Sequence, residues 1–130
     1  MEGVSDESYD FVHSSHCLEH VGDPLVALRN WLRILRPGGH LVCLVPDEDM
    51  YEQGVWPSTF NSDHKHTFTI QKINSWSPVS VNLLDLLTWF GVSIQRIELL
   101  TATHRTINER IDQTMTPIGE SAIEFVVRKL

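Results

Sequence analysis

SYDFVHSSHCLEHVGDPLVALRNWLRILRPGGHLVCLVP, residues 8–46, is the stretch on which the fold turns. Tyr9 to Val12 is a short apolar strand that ends in small polar residues, where a parallel sheet would turn outward. Cys17, Leu18 and Val21 suit a short helical turn. Asp23-Pro24 pairs an N-cap acceptor with a residue whose fixed φ suits the first helical turn. Leu25, Leu28, Leu32 and Leu35 then line one helical face, with Arg29, Asn30, Arg33 and Arg36 largely on the other. Pro37-Gly38-Gly39 is expected to end that helix, because proline disfavours helical geometry in the residue before it and glycine supplies positive φ. Leu41 to Val45 is continuously apolar, the pattern of a strand buried on both faces of a parallel sheet. Strand, helix, turn and buried strand together make a right-handed crossover unit.

These residues resemble the second half of a class I S-adenosylmethionine-dependent methyltransferase domain, of the large group called type 11. The resemblance rests on Asp10, on Leu18-Glu19-His20, and on Leu35-Arg36-Pro37-Gly38-Gly39 leading into Leu41. It extends more loosely to His64-Lys65-His66-Thr67-Phe68-Thr69 and to Gly91-Val92. It implies an α/β, truncated Rossmann-like fold: a mixed sheet of three parallel strands plus one antiparallel C-terminal strand, with helices on its faces. In the family's own count the strand order is fourth, fifth, seventh, sixth. The glycine-rich turn and the acidic residue that hold the cofactor in complete members have no counterpart here. The one double glycine, Gly38-Gly39, closes a helix instead of opening one.

The resemblance also implies roles. Ser14, Ser15 and His16 match the segment beside the methionine end of S-adenosylmethionine. Glu19 and His20 match the segment that shapes the substrate cleft or removes a proton, with turn capping and space filling as the plain structural reading of the same pair. Pro46 and Asp47 end the fifth strand where a small-molecule substrate would approach, and Asp10, on the strand itself, reads as structural. Because its usual neighbour is not encoded, the fourth strand, Tyr9 to Ser14, would present a bare apolar edge. A homodimer through that edge is expected, or completion by a missing N-terminal half.

The rest of the chain reads as support. A length of 130 residues with 42% hydrophobic content gives one domain, 1–130, with a real core. A net charge of −7 argues against nucleic-acid binding, and the helix arginines read as a solvated face. Cys17 and Cys43 are expected to be buried and reduced, which points to the cytoplasm. The acidic N-terminus is no signal peptide, and no run is long enough to cross a membrane. Asp47 to Asp63 should be a long loop anchored, or a substrate packed, by Tyr51, Trp56 and Phe60. Ser77-Pro78 should start a buried helix, Val79 to Phe90, closed by Gly91. Val92 to Leu100 is a strand, Ile107 and Ile111 mark a short amphipathic helix, and Glu120 to Leu130 alternates as a strand with one wet face.

His13, His16 and His20 lie close to Cys17 in sequence, and His64 and His66 are two apart as on one face of an extended segment. No zinc-finger spacing accompanies them, so no metal ligand is assigned. Three functions stay open: a methyltransferase at family level, incomplete as this chain alone; a noncatalytic, self-associating module of methyltransferase ancestry; and a histidine-based metal-binding or hydrolytic protein.

Overall fold

The computed structural model describes residues 3–101 and 121–130. Its main sheet has four strands: β1 (Tyr9–Ser15), β2 (Leu35–Pro46), β5 (Ser93–Thr101) and β6 (Ser121–Arg128), in the order β1-β2-β6-β5. β1 runs parallel to β2, and β6 runs antiparallel to both β2 and β5. Three strands therefore share one direction and the C-terminal strand opposes them, as the resemblance implied.

Helix α1 (Pro24–Ile34) makes the crossover from β1 to β2. Asp23 caps it as expected, its Oδ1 accepting from Leu25 N at 2.9 Å and Val26 N at 3.3 Å. Its C-terminus lies earlier than the Pro37-Gly38-Gly39 signal implied. Leu35 is already extended and pairs with Tyr9, and Pro37 keeps Arg36 out of the helical region. Two carbonyls at the helix end are taken by the segment leading into β1: Glu7 N donates to Arg33 O and Ser8 N to Ile34 O. The diglycine thus lies inside β2, where the register slips between Tyr9 and Phe11. Gly38 has φ +83°, its N–H donates to Lys129 O at 2.8 Å, and Gly39 O accepts from Lys129 N at 2.9 Å. The arginines are more engaged than a solvated face requires. Arg33 pairs with Asp6, Arg36 with Asp10 at 2.7 Å, and Arg29 lies over the Trp89 ring. Asp10 accordingly has a structural partner.

The core fills one side of the sheet. Leu41, Cys43 and Val45 of β2 and Ile123, Phe125 and Val127 of β6 pack with Leu28, Trp31 and Leu32 of α1 and with Leu18 and Phe68. Val42 and Leu44 on the opposite face are only partly buried, so β2 alternates in burial although its sequence is uniformly apolar. Leu25 is exposed, and the inward face of α1 is carried by Leu28, Trp31, Leu32 and Ile34.

Two further expectations change. The stretch after Pro46 opens with one turn of π-helix, Glu48–Glu52, capped by Asp47. The helix expected over residues 79–90 is shorter: α2 spans Leu83–Phe90, with Asn82 as its cap and Gly91 closing it at φ +66°. Val79 N donates to Ser77 Oγ at 3.4 Å, so the Ser77-Pro78 signal makes a turn. The next residues, β4 (Ser80–Asn82), pair in parallel with β3 (Thr67–Thr69). Cys17 is exposed where burial was expected, Cys43 is buried, and both are free thiols. The expected helix around Ile107 and Ile111 lies outside the described residues. Among the described residues no helix is long and apolar enough to cross a membrane.

Candidate functional site

β1 and β2 are parallel, so they leave the sheet at the same edge, the carboxyl edge where ligands of open α/β sheets collect. Ser14 pairs with Cys43 and Ser15 with Leu44, and His16 N still donates to Leu44 O at 3.1 Å. His16 then takes φ +49°, which turns the chain away from the sheet. Ser14 is buried, while Ser15 and His16 are exposed. The turn that follows buries Leu18 as an anchor and holds Glu19 at 1% exposure.

Glu19 is the centre of the site. Both of its carboxylate oxygens are buried and neither has a hydrogen bond. Its Oε1 stands 3.5 Å from His16 Nδ1 and 3.7 Å from His20 Nε2. The backbone carbonyl of Glu19 accepts from Lys65 N at 2.8 Å and His66 N at 3.3 Å, which binds the turn to a segment more than forty residues on. Lys65 Nζ adds a bond to His20 O. This clamp brings His64 in: its ring packs edge-on to His20, with centroids 5.0 Å apart, and Tyr51 covers it at the same centroid distance.

Each of the two histidines has its Nδ1 held by a carboxylate. His20 Nδ1 lies 2.9 Å from Asp63 Oδ2, and His64 Nδ1 lies 2.6 Å from Glu52 Oε1. With Nδ1–H as donor, the lone pair of each ring sits on Nε2. Lys65 beside Asp63, together with the His20 hydrogen bond, keeps the Asp63 carboxyl below the usual carboxylate range. One ligand atom each from Glu19, His20 and His64 lies within 4.8 Å of the others.

Pro46 and Asp47 close β2 at the same edge, but Asp47 is occupied. Its Oδ1 accepts from Asp49 N at 3.0 Å and Met50 N at 2.9 Å, and its own N–H donates to Ser121 O. Burial is the largest influence on its carboxyl and pushes the pKa up from 3.8 to about 6, against the pull of those amides. Behind it Glu48, fully buried, accepts from Ser80 Oγ at 2.5 Å, Ser75 Oγ at 2.8 Å, Lys72 Nζ at 3.1 Å and Thr67 Oγ1 at 3.2 Å. Glu48 ties the π-turn to β3 and β4 and has no free lone pair aimed at solvent.

The structure brings His16, Glu19 and His20 together and adds His64, Asp63 and Glu52. His64 and His66 do not share a face. His64 is buried against Glu52, and His66 reaches Gly22 O through Nε2 at 3.3 Å. Asp63 and Glu52 have no signal in the local sequence, since both are recruited across loops. Tyr51 and Phe60 meet edge to face, 6.3 Å apart, so they anchor the loop.

Residues 1–77 match a family model described as a methyltransferase domain. The chain belongs to that family. Solved structures similar to this methyltransferase-family chain include a S-adenosylmethionine-dependent methyltransferase of Thermotoga maritima, described as a possible histamine N-methyltransferase. It is 21% identical, with TM-score 0.62, over 98% of this chain and 59% of that one. A S-adenosylmethionine-dependent methyltransferase of Methanosarcina mazei is 17% identical with TM-score 0.61, over 100% of this chain and 63% of that one. One from Mesorhizobium loti is 18% identical with TM-score 0.60, over 97% and 64%. These likenesses establish a Rossmann-like methyltransferase fold, and the chain spans about three-fifths of each of those structures. An uncharacterized 37.1 kDa protein in a transposon of Streptomyces fradiae is 46% identical over 46 residues, 35% of this chain and 13% of that protein.

Proposed function

We propose that the carboxyl edge of β1 and β2 is the acceptor side of a S-adenosylmethionine-dependent methyl-transfer site. In this reading backbone groups of Ser14, Ser15 and His16 lie beside the methionine end of the cofactor. Glu19 and His20 shape the acceptor cleft and take up the acceptor's proton, and Pro46 and Asp47 form the far wall against a small-molecule substrate. Family membership supplies the reaction class. The observation that carries the assignment to these residues is the buried Glu19 carboxylate, flanked by His16 and His20 where β1 leaves the sheet. Transfer of a methyl group from a sulfonium asks the protein mainly to hold the nucleophile in line, so positioning carries most of the rate effect. Proton removal needs a base with an available lone pair, which His20 Nε2 provides once Asp63 has fixed the tautomer.

The glycine-rich turn that holds the cofactor in complete family members has no counterpart in this sequence, so in this reading the partial cleft at the β1–β2 edge is completed across a dimer. Support for pairing comes from β1, whose outer edge is unpaired in the described sheet and carries Tyr9 and Phe11 at 49% and 56% exposure. We assign that edge to a second copy of the chain. Two free cysteines fit a reducing, cytoplasmic setting.

Calorimetric titration with S-adenosylmethionine and S-adenosylhomocysteine, with the mass of the assembly measured in the same buffer, tests the reading. Saturable binding to a dimer is the expected result. A folded chain that binds neither at millimolar ligand would refute cofactor binding by this chain. A monomer at high concentration would refute pairing through β1.

A further inference from the structure

We propose that Glu19, His20 and His64 form a binding site for a divalent transition-metal ion. Three independent features of the cluster point to a cation. The first is the Glu19 carboxylate, 1% exposed with both oxygens lacking a hydrogen bond. A buried carboxylate without donors is costly, and natural interiors pair such groups or place them on a metal. The second is the ring orientation. In both histidines Nδ1 is taken by a carboxylate, Asp63 Oδ2 at 2.9 Å and Glu52 Oε1 at 2.6 Å, leaving Nε2 as the electron-pair donor. That carboxylate-histidine arrangement orients metal ligands and raises their basicity, and here it occurs on two histidines from separate segments. The third is convergence: one ligand atom from each residue lies within 4.8 Å of the others, and His20 Nε2 itself is 3.7 Å from Glu19 Oε1.

The spacing fits an ion after a small closure. Ligands about 2.1 Å from a common zinc ion stand roughly 3.4 Å apart in tetrahedral geometry, so separations of up to 4.8 Å close by at most about 1.4 Å. The backbone bonds from Lys65 and His66 to the Glu19 carbonyl hold the two segments together. Two imidazoles and one carboxylate suit zinc, cobalt or nickel and discriminate against magnesium and calcium, which prefer oxygen ligands. Three protein ligands leave open positions on the ion, as in catalytic zinc sites and unlike closed structural ones. His16 is exposed, with its Nδ1 3.5 Å from Glu19 Oε1.

This inference stands apart from cofactor binding, but it bears on the acceptor chemistry. His20 Nε2 cannot be ligand and free base at once, so a bound ion would replace an imidazole base with a Lewis acid at the same place.

The test uses the full chain, stripped with chelator and titrated calorimetrically with zinc chloride in the absence of S-adenosylmethionine. Cobalt absorption spectra on the same material report nitrogen and oxygen ligation. One zinc per chain is expected, with magnesium giving no saturable heat. Glu19→Gln and His64→Ala should each weaken zinc at least tenfold. Asp63→Asn, a surface change that leaves the three ligands in place, should weaken it by about tenfold to a hundredfold. His13→Ala, on the exposed part of β1, should leave it unchanged. Circular dichroism confirms that each variant is folded before it is scored. Zinc binding unaltered in both Glu19→Gln and Asp63→Asn, or the absence of saturable zinc binding to the folded parent chain, would overturn the proposal whatever the outcome with the cofactor.

Discussion

Replacing Asp47 by asparagine should stabilise this chain at neutral pH and leave it no more stable in mild acid. Burial raises the folded-state pKa of Asp47 from 3.8 to about 6. Between those values the folded protein holds the proton and the unfolded chain has released it, so stability falls as pH rises through the window and the loss is complete above the folded value. At about 1.4 kcal/mol per pK unit, the ionised carboxylate costs the folded state about 3 kcal/mol at neutral pH. Asparagine keeps an oxygen acceptor for the Asp49 and Met50 amides, whose pull on the charge is already contained in that shift, and burying its own NH2 group takes back about 1 kcal/mol. The net expectation is about 2 kcal/mol of stabilisation above the folded pKa, shrinking to zero or reversing near pH 4. Urea denaturation followed by circular dichroism at several pH values across that range measures the difference. Comparing variant with parent cancels the other carboxylates, which titrate in the same window. Parallel stability profiles for the two proteins would show that Asp47 ionises normally and that burial does not dominate its environment.

Other perturbations test separate parts of the fold by the same denaturation assay. Glu48→Ala strips four donors of their shared acceptor and should cost at least about 3 kcal/mol; a loss under about 1 kcal/mol would mean the hydroxyls and Lys72 find water instead. Gly39→Ala puts a methyl 2.9 Å from Arg36 O and 3.0 Å from Asp10 O, both backbone, and should cost about 1–3 kcal/mol, whereas a neutral result would show that the β1–β2 junction gives way easily. Asp23→Ala removes the α1 cap and should cost about 1 kcal/mol, and Asp23→Asn should restore most of it.

What the sequence made legible was local. Asp23-Pro24 marks its helix start to the residue, Gly91 marks a helix end, and the alternation of Ile123, Phe125 and Val127 sets the inward face of β6. The failures are where a distant partner decides. α1 stops at Ile34 because residues 7, 8 and 9 claim its last carbonyls and Leu35, a competition invisible from the Pro37-Gly38-Gly39 signal. β3 and β4 are three residues each, too short for any periodicity, and exist because they pair with one another. Residues 80–82 were drawn from an expected helix into that pairing. Glu48 and Glu52 read as surface residues by type and are buried only because donors arrive from more than ten residues away. In the site, Glu19 and His20 came with the Leu18-Glu19-His20 segment, while the placing of His64 beside them depends on the backbone clamp from Lys65 and His66.

The most direct measurement of the central claim is chemical-shift mapping by nuclear magnetic resonance on isotope-labelled chain titrated with S-adenosylhomocysteine, which reads weak binding residue by residue. The account predicts that shifts concentrate on the amides of Ser14 to His20 and on the end of β2 near Val45 and Asp47, with the outer face of α1 silent. A well-dispersed spectrum that does not move at millimolar ligand, or one that moves only away from the carboxyl edge of β1 and β2, would contradict it.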